Sequence, residues 1–274
     1  ATINATTFDT SAGSIDVASG STLNLNSATT TIGTSSSLTG GGTINLIGTQ
    51  ALNFASPYTI SATSTLLDPT GTITFGGPGP LTIAPGGSFK MTQDTANVDI
   101  DNQGNLNIEG GTSTINNSIN STSFTNSGVL TIRGTSGANV HLIVANGFTN
   151  AGTITLDNAH SAGRSQTLTV SSGTLTNTGT LSTTQTGAGS ATHSINANII
   201  NTGIIDIDAT ATINATTFDT SAGSIDVAAG STLTLNSTTT TVGASSSLTG
   251  AGTINLQGTQ ALNFASAYTI SATR

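Results

Sequence analysis

Apolar residues recur along this chain in short alternating runs, such as Leu106-Asn107-Ile108, Leu130-Thr131-Ile132 and Ile154-Thr155-Leu156, and never at a helical interval. Alternation over so few residues predicts half-buried strands and no helix. Each run follows the same frame: an apolar residue, an Asn two places on, a Gly two places after that, then the alternation. The frame fits Ile100-Asn102-Gly104-Leu106-Ile108, Phe124-Asn126-Gly128-Leu130-Ile132 and Phe148-Asn150-Gly152-Ile154-Leu156. It returns at Leu175-Asn177-Gly179-Leu181 and Ile199-Asn201-Gly203-Ile205-Ile207. Looser versions without the Asn centre on Gly13, Gly42, Gly71, Gly223 and Gly252. Further short strands are expected inside each interval, at Leu23-Leu25, Leu52-Phe54, Leu81-Ile83, Val140-Leu142-Val144 and Leu168-Val170.

Two or three strands per interval of 20–33 residues predict an all-β fold, a right-handed parallel β-helix or β-solenoid of about ten coils. The Gly spacings from 13 to 223 are 29, 29, 33, 24, 24, 27, 24 and 20, and one coil per spacing gives eight coils. In such a stack Phe124 should meet Phe148, and Asn102, Asn126, Asn150, Asn177 and Asn201 should share amide hydrogen bonds up one corner. Gly104, Gly128, Gly152, Gly179 and Gly203 are expected to supply bends that a Cβ would hinder.

A second period is superposed. Residues 1–63 return at 211–273 with eight differences, so residues 1–210 form one full unit and 211–274 the start of the next. The chain is expected to be one continuous solenoid taken from a longer tandem array.

Composition narrows the function. Charged residues make up only 6% of the chain, but hydrophobic residues reach 34% and recur in register, so disorder is excluded as the reading. Net charge is −8, with Lys90, Arg133, Arg164 and Arg274 as the only Lys and Arg. No basic patch or stacking platform for nucleic acid is present. No apolar run reaches the ~18–20 residues that span a bilayer, so membrane insertion is not expected. The absence of Cys removes disulfides and thiolate metal sites. Richness in Thr, Ser and Asn points to an exported protein.

Candidate chemistry is sparse. Residues 97–110 imitate a calcium loop through Asp99, Asp101, Gln103 and Gly104, but Gly110 stands where the bidentate acid belongs and Glu109 is one place short. Asp206 and Asp226 should stack one strand spacing apart, the best candidate for a bound cation. Glu109, Arg133 and Asp157 each lie seven residues after a frame Asn and should form an outward charge ladder. His141, His160 and His193 have no acid or nucleophile at a recurring offset, and only residues 133–147 and 157–173 are long enough to wall a groove. No catalytic residue and no cofactor site is assigned. Residues 76–87, with Pro78, Pro80 and Pro85 among the five prolines of the chain, read as a rigid outer turn. Asn-x-Ser/Thr sequons occur at Asn4, Asn116, Asn120, Asn214 and Asn236.

The turns FTNSG, FTNAG, LTNTG and INTG resemble the repeat regions of large bacterial exoproteins of the filamentous-haemagglutinin type and of autotransporter passengers. The resemblance covers the whole chain as a pattern. It implies a fibrous stalk, secreted or at the cell surface, serving adhesion, biofilm or matrix building, with a host-surface or matrix glycan or protein as partner. No RGD tripeptide is present; the nearest is Arg133-Gly134-Thr135. The alternative is a filament or sheath whose separate chains stack end to end through further copies of the repeat. An ice-binding solenoid needs a Thr-x-Thr register that the uneven spacing spoils.

Overall fold

A computed structural model describes all residues except 11, 62–64, 69–70, 117–123, 136, 259 and 266–274. Among the described residues there are thirty strands and no helix, and every strand pairing is parallel. The chain winds as a β-solenoid with three sheet faces. The first face stacks residues 2–5, 24–27, 43–46, 65–67, 88–91, 105–109, 129–134, 153–158, 180–184, 204–207, 224–227 and 247–249. The second runs from residues 7–10 through 29–32, 51–54, 74–76, 95–97 and 114–115 to 140–144, 166–170, 193–196, 211–214, 233–236 and 253–256. The third begins with the pair Ser14–Asp16 and Ser37–Thr39, then continues from Tyr58–Ile60 through 81–83, 100–102, 125–126, 148–150, 175–177, 199–201 and 218–220 to 262–264. About eleven coil steps at ~4.8 Å give a rod roughly 53 Å long.

Inward residues of the three faces form one continuous apolar core, and Phe124 lies 4.8 Å from Phe148, ring centre to ring centre, as the stacking predicts. Where the third face is interrupted, the side chain of Tyr58 substitutes for a strand. Its hydroxyl accepts from Leu38 N at 3.0 Å and donates to Leu38 O at 3.3 Å, and its ring stacks on Phe54 at 5.0 Å. Burial pushes this phenol up to about 12.

The count of eight coils per unit is corrected. Nine coil steps separate residues 2–5 from 204–207 on the first face, and one further strand brings the chain to 211–214. Gly13, Gly42 and Gly71 open strands on the third, first and second faces respectively, so the wide early spacings span more than one coil. A turn into any face asks for the same local residues, and only pairing reveals which face follows.

The second copy consequently sits one face further on than the first. Asn24 and Leu25 lie on the first face, while their equivalents Thr234 and Leu235 lie on the second. Asp16 is on the third face, and its equivalent Asp226 is on the first. Local contacts survive the move. The buried Ser27–Thr30 hydroxyl pair, with Thr30 donating to Gln50 Oε1, recurs as Ser237–Thr240 with Gln260.

Candidate functional site

The corner between the third and first faces carries the frame residues. Asn102 Nδ2 donates to Asn126 Oδ1 at 2.6 Å, Asn126 to Asn150 at 2.6 Å, Asn150 to Asn177 at 2.7 Å and Asn177 to Asn201 at 2.8 Å. Each amide gives its second hydrogen to a carbonyl of the next coil: Val129, Thr153, Thr180 and Ile204 in turn, at 3.0–3.1 Å. Asn201 closes the ladder on Thr220 Oγ1. All five amides are buried, and each of the first four Asn main-chain carbonyls accepts two N–H groups from the turn above, as Asn126 does from Ala151 and Gly152. The other end of the ladder is open: Asn102 Oδ1 has no donor among the described residues, because Ile83 occupies the position beneath it.

The frame glycines serve a different need from the expected one. None has a left-handed backbone; what they lack is room. A Cβ on Gly128, Gly152, Gly179 or Gly203 would sit 2.0–2.3 Å from the carbonyl oxygen of the frame Gly below, and one on Gly104 would be 2.3 Å from Ala84 O. Stacked turns approach too closely for any side chain.

The charge ladder forms in part. Register puts Glu109 beside Arg133 and Arg133 beside Asp157, as counted. Arg133 Nε binds Asp157 Oδ2 at 3.0 Å, but Glu109 turns to Lys90 at 2.7 Å. Lys90, on the coil below, reaches it diagonally along the same face. Asp157 is not a solvated outward acid either. It is buried and also accepts from Thr184 and from the hydroxyl and N–H of Thr186. The Lys90–Glu109 pair stays in partial contact with solvent, where such a pair contributes about 0.2–1 kcal/mol.

Asp206 does stack on Asp226. Burial first, then the charges of Asp208 and Asp226, raise the Asp206 carboxyl above its ordinary range, while Thr249 Oγ1 donates to Asp226. Among the described residues no three His, Asp or Glu side chains converge on one point. Residues 97–110 are not wrapped as a calcium loop: they run as strands Ile100–Asn102 and Asn105–Glu109. Asp99 is buried, and the Asp101 carboxylate accepts from Gln103 and Thr125 at 2.6 Å.

The histidines stay apart. His141 Nε2 meets Thr169 Oγ1, His193 Nδ1 meets Thr210 O, and His160 Nδ1 accepts from Ala162 N. Burial lowers both His141 and His193. Residues 76–87 are two turns on either side of a buried strand, Leu81–Ile83, instead of one outer turn. Of the sequon asparagines, Asn4, Asn116, Asn214 and Asn236 belong to outward amide ladders, and Asn120 and the cation Arg274 lie outside the described residues.

One pair was missed by reading the sequence. Asp68 and Asp94 are both buried and their carboxyls are hydrogen-bonded to each other. Gly71 N donates to Asp68 at 2.8 Å, while Ile73 N and Thr92 N donate to Asp94 at 2.7 and 2.8 Å. Burial and the Asp68 carboxyl push Asp94 up to about 9 against the pull of those N–H groups, so the pair keeps one proton at neutral pH. The spacing Asp68-x-x-Gly71 was its one local trace.

A folded group with a raised acid pKa holds a proton that the unfolded chain has released. Its contribution to stability is therefore greatest below about pH 4 and falls until pH passes about 9. Asp68→Asn keeps an acceptor for Gly71 N and gives Asp94 an amide donor. Urea midpoints should show this variant gaining on the parent as pH rises from 4 to 9; a gap independent of pH would refute the shared proton.

Among the described residues, the last coil leaves an apolar cup lined by Phe218, Ile225, Leu235, Val242, Leu248 and Phe264. Leu256, Leu262 and Phe264 are 42%, 37% and 44% exposed there, against 0%, 1% and 3% for their first-copy equivalents Leu46, Leu52 and Phe54. In the first copy residues 65–67 and 72–76 pair onto the strands that carry those side chains. No protein-family model, curated protein or solved structure matches the chain.

Proposed function

We propose that the chain is a structural stalk segment of a secreted or cell-surface bacterial adhesin or matrix protein, with no catalytic role. The observation that carries this reading is the junction at residue 211. The second copy begins there without a break, Ala211 and Ile213 stacking on His193 and Ile195 as any coil stacks on the one before. A unit that restarts inside its own solenoid extends a rod by mere repetition, and the Asn ladder and the Asp68–Asp94 pair are both taken up in joining one coil to the next. The resemblance of the frame turns to exoprotein repeats supplies the extracellular setting, with glycan or protein of a matrix or host surface as the partner class.

A second reading rests on the duplication of residues 1–63 at 211–273, which would let an incoming copy continue the coil in register. Separate chains could stack end to end to make a filament or sheath. Electron microscopy of chains carrying one, two and three consecutive units tests the stalk. Single rods should lengthen by about 45 Å per unit, the height of nine and a third coils. Beads of constant size on a string would refute it. Open-ended growth of the 274-residue chain itself would favour the filament.

A further inference from the structure

The faces of the solenoid are interchangeable, and the repeat does not contain a whole number of coils. From residues 2–5 to 212–215 the chain makes nine coils and one extra strand. Twenty-seven strands would return each copy to the face it left; the twenty-eighth moves it on by one. We propose that units joined head to tail form a three-fold screw, in which every outward side chain appears on all three faces in three consecutive units and regains its first face only with the fourth. This rests on the stalk reading, since it concerns what such a stalk presents to its surroundings.

The first step of that screw is already present as three repeated surface and core details. The outward amide pair Asn4–Asn26 on the first face, 3.0 Å, recurs as Asn214–Asn236 on the second, 3.0 Å. Thr39 donates to Asp16 on the third face, and Thr249 donates to Asp226 on the first. The Gln50 and Gln260 networks sit inside the second and third faces in the same way, with Gln50 Nε2 donating to Leu25 O and Gln260 Nε2 to Leu235 O, each at 3.0 Å. A segment whose contacts are reproduced after one rotation has contacts that a second rotation will also reproduce, because each rotation poses the same packing problem to the same residues. The rise is about 45 Å per unit and about 135 Å for the full turn of three.

The consequence is an interaction surface distributed around the fibre. A stalk with twenty-seven strands per unit would carry each patch as a line along one side, suited to a flat partner. This one offers the same patch to partners on every side, and neighbouring copies of the fibre would meet like surface in any orientation.

The chain has no Cys, so one exposed position per unit can be labelled cleanly. In a chain of three consecutive units, Asp16→Cys in each unit, coupled to maleimide-gold, is imaged by electron cryotomography. The expected result is three marks stepping about 45 Å along the rod, each on a different side. Asn4→Cys, on another face, should give the same pattern and guards against a local effect of the first substitution. Rods of the expected length with all marks along one side would overturn the screw and leave the stalk standing. Loss of the continuous rod would overturn both.

Discussion

Replacing Gly152 by alanine should cost about 3 kcal/mol, a large effect for one methyl group. The added Cβ would lie 2.0 Å from Gly128 O, an atom that cannot retreat because it accepts from Thr153 N at 2.9 Å. Moving Gly152 away instead breaks its own N–H bond to Asn126 O at 3.0 Å. The stack at Gly104, Gly128, Gly152, Gly179 and Gly203 repeats the constraint, so relief in one coil transfers the clash to the next. Gly137→Ala is the control: nothing lies within 4 Å of its Cβ, and the change should be neutral or slightly stabilising. Urea midpoints read both. If Gly152→Ala stays within about 1 kcal/mol of the parent, close approach is not why these glycines are there.

Asn150→Leu should cost about 3 kcal/mol as well, for a different reason. Asn150 Oδ1 accepts from Asn126, and its amide donates to Asn177 and to Thr180 O. Leucine has a similar volume but leaves those three buried groups each one bond short, and an unmet buried group costs about 1–3 kcal/mol. Replacing Asn102, Asn126, Asn150, Asn177 and Asn201 together by apolar residues should cost much less than five times the single change, since no amide then remains to be disappointed. Ile60 and Ile83 already fill the same corner position two coils and one coil below Asn102, so the fold accepts an apolar stack there. Strictly additive losses in the urea midpoint would refute a ladder held together by mutual satisfaction.

Where consecutive coils share a face and a frame, counting residues was enough. The partners Asn102, Asn126, Asn150 and Asn177, the neighbours Glu109, Arg133 and Asp157, and the stack of Asp206 on Asp226 all follow from aligning the frame. Before residue 100 the same device misleads. Gly13, Gly42 and Gly71 look alike because corners look alike, and no local signal says that each opens a different face. Asp68 and Asp94 were invisible for a related reason: one follows two leucines and precedes a proline, the other sits among polar residues, and only stacking joins them. Glu109 chose Lys90 over Arg133 because side-chain length lets a lysine reach diagonally, a freedom that backbone register does not fix.

The strands lie across the rod, so their ladder hydrogen bonds point along it. A pull on the two ends therefore opens those bonds coil by coil, at the edge of the stack, instead of shearing a whole face at once. Each coil that peels away, such as the 24 residues from Asn102 to Asn126, changes from ~4.8 Å of folded height to about 80 Å of extended chain. Under load such a rod behaves as a spool: it lengthens more than tenfold, and it rewinds onto whatever coils remain as a template.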